Sequence, residues 1–455
     1  MMKLYNSLTK TLEEFKPLKK REVGIYVCGP TVYGPVHLGH GRTWIFFDWL
    51  RRYFELNKFK VKFVQNITDV GHLVDDADDT TEDKIEKEAK AQGKTPQEIA
   101  KHWEGEYFRD LESLNILKPD FSPKASAHIK EMVNFIKVLL DKGFAYEVSG
   151  NVYFDVGKLP SYGELSGRSI QEEKPGKRVK TDTKKNTPAD FALWLKADAN
   201  HLQKWPSPWS EGYPGWHLEC SVMSVKFLGQ PFDIHGGGID NIFPHHENEL
   251  AQSKAYFGKP LANFFLHAGT LLVSGQKMAK SLNNYITVKD ALKENDADTL
   301  KIAMMNNHWR SPFNLSASTR GKIEDAISEA EKVKVRLIRA KEDAQPIKTG
   351  FPTQINQILE NDFNVPRVLG LILENLSKLS RRDFEYIEDL FGLKLVGMVK
   401  LSNSQKKMIK ARNQAREAGD YKKADQIRKS LKNKGIILED TASGTRVLTP
   451  GQPRG

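Results

Sequence analysis

The chain has 455 residues, 39% of them hydrophobic and 28% charged, with a net charge of +11 and a pI near 9.2. That length allows roughly two to four domains with a true core, and two cysteines exclude a disulfide framework and point to a reducing, cytoplasmic setting. The N-terminus "MMKLYNSLTKTLEEF" has no apolar signal core and no 18-residue apolar run occurs, so no membrane partner is expected.

In chain order, "EVGIYVCG" (22–29) reads as a buried strand ending at glycine, "GHGRTWIFFDWLRRYFELN" as an amphipathic helix, and "VKFVQNIT" (61–68) as the next strand. Strand, glycine-bearing turn, helix and strand make a βαβ unit, hence a parallel sheet. Its ligands should lie at the carboxyl ends of the strands, where Cys28 and His37 fall. A helical stretch is expected from about Thr80 to Lys142, then a strand-rich basic patch near 144–195 that includes "GRSIQEEKPGKRVKTDTKK". Turns follow in "WPSPWSEGYPGWHLEC", and strand signals resume at "PFDIHGGG" and "FFLHAGTLLVSG". The middle of the chain thus reads as an insertion splitting one α/β domain. After about Asp290 the chain reads as all-helical, with a linker near "KEDAQPIKTGFPT" (341–353). From Leu401 to Gly435 eleven Lys/Arg face three acids, a net of +8, which suits a polyanionic partner such as RNA or a solvated helix face.

Two constellations carry chemistry. Cys28 and Cys220 are the only thiols, and "DIHGGGIDNIFPHHENELAQS" places His245 and Glu249 four apart. A helix starting at Pro244 would put that pair on one face. Two thiolates, an imidazole and a carboxylate form a tetrahedral zinc set; spacing alone does not pair Cys28 with Cys220, and either also reads as a small buried hydrophobe. The second constellation is "HLGH", where His37 and His40 sit at a helix start whose N–H groups and dipole favour anions. Gly39 lets a base or phosphate approach the backbone. "VSGQKMAKSLNN" adds Lys277 and Lys280 on a glycine-led loop, placed either to neutralise a triphosphate or simply to face solvent.

Together "HLGH" and "KMAKS", some 240 residues apart, resemble the HIGH and KMSKS signatures of the class I aminoacyl-tRNA synthetases. Within that class, "YVCGPTVYGPVHLGH", "QNITDVGH", "SPWSEGYPGWHLECS", "NHWRSPFNLS" and "DQIRKSLKNKGIILEDT" look most like the cysteinyl-tRNA synthetase family. The resemblance implies an α/β fold: a split Rossmann-like parallel-sheet catalytic domain with an inserted domain, followed by an all-helical C-terminal region. It implies first-half catalytic residues 1–110, an inserted connective domain 111–205 and a second half 206–290 with the KMAKS loop. A stem-contact region and helical bundle (291–400) and a small basic anticodon-binding region (401–455) would follow. It further implies one zinc ion held by Cys28, Cys220, His245 and Glu249, and magnesium arriving with ATP. His37, His40, Gly39 and Lys280 would bind ATP, with His37, His40, Lys277 and Lys280 catalytic. Thr68, Trp216, His235 and Asp240 would surround the substrate cysteine, although Trp216 also reads as core. The implied partners are tRNA(Cys), ATP and L-cysteine, for a monomer without a membrane.

The chain departs from the family pattern in three places. Leu38 replaces the isoleucine of HIGH and Ala279 the first serine of KMSKS, which removes a hydroxyl. The segment "GHLVDDADDTTEDKI" after Val70 is longer than the compact "DDKI" of many relatives. Two rivals share parts of the pattern: a cysteine:glucosaminyl-inositol ligase of mycothiol synthesis, which needs no anticodon reader, and a non-catalytic RNA-binding relative.

Overall fold

The computed structural model describes residues 2–71, 83–168, 185–278, 282, 284–315, 324–345, 350–395, 402–441 and 444–448. Strand β1 (Glu22–Val27) buries Val23, Ile25, Tyr26 and Val27 and leads into helix α1 (Leu38–Leu56). His37 is extended at the helix cap, and α1 turns Leu38, Ile45, Phe47, Leu50 and Phe54 inward. Lys58 at φ 66° reverses the chain into β2 (Lys60–Gln65), which pairs parallel to β1 with Ile25 opposite Phe63. The strand stops at Gln65 rather than running through Thr68; Thr68 makes only an isolated parallel bridge to Thr31.

Far along the chain come α2 (Trp216–Leu228), β3 (Phe232–Gly238), α3 (Glu247–Phe257) and β4 (Ala262–Ala268). The sheet order is β4-β3-β1-β2, every neighbouring pair parallel. From β1 the chain crosses through α1 to one side, and from β3 through α3 to the other. The adjacent carboxyl ends of β1 and β3 are therefore the switch point at which open α/β sheets bind ligands. This is the parallel-sheet architecture expected above. Gly236 in β3 is required by close approach: a Cβ there would lie 2.2 Å from the Phe47 ring of α1.

The segment between the half-sheets holds helices Lys84–Gln92, Pro96–Ser113 and Ile129–Asp141. It then forms a five-stranded antiparallel sheet, in the order Ala145–Val148, Asn151–Phe154, Phe191–Lys196, Glu211–Pro214, Trp205–Pro206. Its Val152, Phe154, Phe191 and Trp194 join Tyr26, Phe232 and Phe265 of the parallel sheet in one hydrophobic cluster. Accordingly Met1–Glu112 and Leu117–Thr270 make one compact unit. The long segment after Val70 and the basic "SIQEEKPGKRVKTDTK" lie outside the described residues over 72–82 and 169–184.

The second unit comprises Ser113–Ile116 and Leu271–Gly455, so the division at Thr270 assigns the KMAKS strand pair to it. Strands Leu271–Val273, Gln276–Lys277 and Phe313–Asn314 form a small sheet. Helices include Val288–Glu294, Ala297–Met305, Glu324–Asp343, Phe351–Leu359, Val365–Glu374 and Arg381–Phe391. Lys301, fully buried, is satisfied by the carbonyls of Asn115 and Gly392, each at 3.0 Å, as a buried ammonium must be. The expected linker at 341–353 shrinks, because helices reach to Asp343 and restart at Phe351, while 346–349 lie outside the described residues. The basic end folds as helices Asn403–Glu417 and Tyr421–Lys432 around Ile409, Leu431, Ile436 and Leu438. It closes with an antiparallel hairpin, Ile437–Thr441 against Gly444–Leu448, so the helical C-terminal region is not helical throughout. The β-branched residues of "IILEDT" and "TRVL" favour that hairpin.

Candidate active site

Cys28 follows the last residue of β1, and its N–H donates to the Gly236 carbonyl of β3 at 3.0 Å. Cys220 sits in the second turn of α2, buried, with its Sγ 3.8 Å from that of Cys28. Glu249, fully buried in the first turn of α3, places Oε1 3.8 Å from Cys28 Sγ and 3.1 Å from His245 Nε2. The ligand atoms of Cys28, Cys220, His245 and Glu249 all lie within 4.8 Å of one another. His235 and His246 make a second such group with Cys28 and Glu249: Cys28 Sγ is 3.1 Å from His246 Nε2, and His235 Nε2 is 2.9 Å from Glu249 Oε2.

The chemistry of this cluster fits a divalent cation. His235 Nε2 and Glu249 Oε2 are buried and lie 2.9 Å apart, yet neither makes a hydrogen bond of good geometry among the described residues. Burial, reinforced by Cys220 and Glu249, pushes the Cys28 thiol well above its ordinary range, and burial likewise raises Cys220. A bound cation reverses that balance by stabilising the thiolates. Two sulfurs, one imidazole nitrogen and one carboxylate oxygen are a tetrahedral zinc donor set.

Histidines behind the cluster were not singled out from the sequence. His217 Nδ1 meets His245 Nδ1 at 2.9 Å, which turns His245 Nε2 toward Glu249. His246 Nδ1 meets His267 Nε2 at 2.8 Å, and His267 Nδ1 meets Ser7 Oγ at 2.8 Å. Burial first, then neighbouring imidazoles, holds His246 well below its ordinary pKa and His267 at about 3, so both are neutral at pH 7. Such outer partners fix ring orientation and tautomer. The available signal was a histidine inside each of the apolar runs "GWHLEC" and "FFLHAG" and the doublet "HH".

Pro244 follows a break in the backbone, as a helix start should, but the first turn after it is wide rather than α-helical. Phe243 is extended at φ −139° and ψ 133°, Ile242–His246 form a single wide turn, and α3 begins at Glu247. His245 therefore precedes the helix, yet still reaches Glu249.

Thr68, buried, accepts from Asn66 Nδ2 at 3.1 Å and donates its hydroxyl at 2.8 Å to Oε2 of Glu219, the residue before Cys220. Asn66 Oδ1 accepts the Gly29 N–H at 2.8 Å and lies 3.7 Å from Cys220 Sγ. Trp216 is half-buried, its ring 4.6 Å from that of His245, so it flanks the cluster rather than filling the core. Asp240 is exposed on the turn Ile239–Asn241 after β3. Gly29 admits no side chain: a Cβ would lie 1.7 Å from the Asn66 carbonyl oxygen. Gly29→Ala should destabilise the protein by about 1–3 kcal/mol through overpacking, read as a lowered denaturant midpoint at unchanged slope.

At the start of α1, His37 Nδ1 accepts the His40 N–H at 3.3 Å. The neutral ring must then carry its proton on Nε2. The His37 and His40 rings stack at 3.8 Å, and His40 stacks on Trp44 at 5.7 Å. Gly39 is half-buried in a first turn without acidic residues, so nothing there offsets the positive end of the dipole. Arg42, buried, donates to the carbonyls of Gly269 and Thr270 at 2.7 and 2.8 Å, and burial lowers its pKa to about 10. In the second unit Lys277 is exposed on a hairpin turned by Ser274 at φ 53° and Gly275 at φ 74°. Its carbonyl accepts from Asn284 Nδ2 at 3.2 Å. Lys280 and Ala279 lie outside the described residues.

Among the described residues, no helix is long and apolar enough to cross a membrane. The family model described as tRNA synthetases class I (C) catalytic domain matches residues 14–326. The cysteine–tRNA ligase of Chlorobaculum tepidum is 38% identical over 97% of each chain. That of Carboxydothermus hydrogenoformans is 39% identical over 98% of this chain and 99% of its own. The fold is similar to a Mycobacterium tuberculosis methionyl-tRNA synthetase solved with methionyl-adenylate, at TM-score 0.53 and 13% identity over 91% of this chain and 89% of that one. With near-complete coverage by such relatives and a cysteine-rich cluster at the switch point of a parallel sheet, the chain belongs to the cysteinyl-tRNA synthetase family of class I synthetases.

Proposed function

We propose that this chain activates L-cysteine with ATP and transfers the cysteinyl group to the 3′ end of tRNA(Cys). The observation that carries the proposal is the pair of thiols, with His245 and Glu249, gathered where β1 and β3 end. In the first step the cysteine carboxylate attacks the α-phosphorus of magnesium-bound ATP and pyrophosphate leaves. In the second a hydroxyl of the terminal adenosine attacks the acyl carbon and AMP leaves. The protein forms no covalent bond with the substrate, so its work is in-line placement and charge neutralisation.

His37 Nε2 and His40 donate to ATP phosphate oxygens, with Gly39 giving the nucleotide access to the backbone. Lys277 and Lys280 neutralise charge as it builds on the phosphates. Thr68, Trp216, His235 and Asp240 orient the substrate cysteine. Cys28, Cys220, His245 and Glu249 would hold a zinc ion, which when bound would supply a thiophilic Lewis acid favouring a thiolate over a hydroxyl. The protein acts as a cytoplasmic monomer.

Cysteine-dependent ATP–pyrophosphate exchange tests the first step, and its absence from zinc-loaded protein sinks the catalytic claim. Aminoacylation of a tRNA(Cys) transcript separates this reading from the mycothiol-type ligase, which has no use for a basic tail of net +8 over Leu401–Gly435. Removing the residues after Leu401 should leave exchange intact, weaken tRNA binding and flatten its salt dependence by about 0.7–0.9 in slope per lost phosphate contact. Unaltered tRNA affinity in that truncation would refute the role of the tail.

A further inference from the structure

A tight turn in the inserted segment, residues 161–168, grips the stretch of chain that carries His245 and Glu249. Glu247, buried, accepts the N–H groups of Gly163 at 3.0 Å and Ser166 at 2.7 Å. Tyr162 donates its hydroxyl to Asn248 Oδ1 at 2.7 Å. Lys254 pairs with Glu164 and lies 3.4 Å from Ser161 Oγ. The Arg168 guanidinium sits 4.2 Å from the centre of the Phe243 ring. These contacts bracket the two candidate ligands at 243, 247, 248 and 254, without touching the ligands' own donor atoms.

The turn is built for this shape. The Gly167 N–H closes onto the Gly163 carbonyl at 2.7 Å, and Gly163 has φ 91°. A Cβ at Gly163 would come within 1.9 Å of the Arg168 carbonyl oxygen. So folded, the turn points two backbone donors at one carboxylate, a concave anion cradle of the kind successive N–H groups form.

Why the grip is needed follows from the backbone at His245. That residue lies in the wide turn Ile242–His246, with Phe243 extended, and so lacks the regular hydrogen-bond ladder that fixes Glu249 within α3. A metal ligand must be held to within about 0.5 Å of its productive position. The constraint has to come from outside the turn.

We propose that Glu247 is a positioning residue for the metal centre, and that the turn 161–168 is the part of the inserted segment that holds it in place. The inference rests on the reading of Cys28, Cys220, His245 and Glu249 as zinc ligands. It gives the inserted segment a task separate from any contact with nucleic acid.

The test uses full-length, zinc-loaded protein and follows zinc release to a chelating dye. Glu247→Ala should release zinc about 10–100-fold faster, the range over which outer-shell partners control metal affinity. Glu247→Gln, which keeps one acceptor, should fall between Glu247→Ala and the wild type, and Tyr162→Phe should accelerate release by less than Glu247→Ala. In cobalt-substituted protein the visible bands of Glu247→Ala should shift, which a loss of stability alone does not cause. If Glu247→Ala releases zinc at the wild-type rate, or lowers only the melting temperature of the metal-free protein, the positioning role is overturned. Should Glu247→Ala fail to fold, wild-type release rates and cobalt spectra in both Glu247→Gln and Tyr162→Phe overturn it equally. A wild-type protein that takes up no zinc overturns the metal reading itself, an outcome distinct from the others.

Discussion

Replacing Cys220 by alanine should take the zinc content from close to one per chain to close to zero and abolish discrimination of cysteine from serine. The sulfur lies 3.8 Å from Cys28 Sγ, and the chain has no third thiol to replace it. Losing one small side chain from a packed helix costs only about 1 kcal/mol in cavity terms, so the fold should survive while the centre does not. A site built to bind a polar substrate group rejects analogues lacking it by about 10⁴–10⁵-fold, and that margin should collapse. Elemental analysis gives the metal-to-protein ratio, and exchange assays with cysteine and serine give the selectivity. An unchanged ratio removes Cys220 from the ligand set.

The second large effect is expected at His37. His37→Ala removes an N-cap and a phosphate donor together. The cap is worth about 1 kcal/mol, whereas losing a donor aimed at developing charge costs about 10²–10³-fold in rate. His37→Asn separates the two, because asparagine caps helices well yet places no imidazole near the phosphates. Stability of His37→Asn should return to the wild-type value while ATP–pyrophosphate exchange stays low, mostly through kcat. Recovery of exchange along with stability would show that His37 acts only through the helix start.

What could be read from the sequence divides by distance along the chain. The unit from Glu22 to Gln65 was legible because strand, glycine turn and helix are a local pattern, and Cys28 and His37 fell at its ligand-binding end. Pairing Cys28 with Cys220 was not legible from spacing, since 192 residues separate them and only the sheet order β4-β3-β1-β2 brings them together. Family resemblance supplied that pairing. His245 and Glu249 were linked by helical spacing, and they do meet, although regular α3 begins only at Glu247. His217 and His267 escaped notice because a single histidine in an apolar run looks like any core residue, and His246 because its neighbour His245 has the four-residue spacing to Glu249. The C-terminal hairpin was hidden by the strongly basic helices before it.

The sheet order also governs how the protein is made. β1 is followed at once by its neighbour β2, but its other neighbour, β3, is encoded some 205 residues later. At a synthesis rate of about 5–20 residues per second, roughly 10–40 s pass between the two. Throughout that interval the nascent half-sheet exposes an unpaired apolar edge carrying Ile25 and Val27, a template for pairing with other chains. Only when residue 249 has emerged are both thiols, His245 and Glu249 present to trap an ion. Substitutions that slow folding of the intervening segment will therefore register first in the yield of soluble protein during synthesis, before any change in turnover by the molecules that finish.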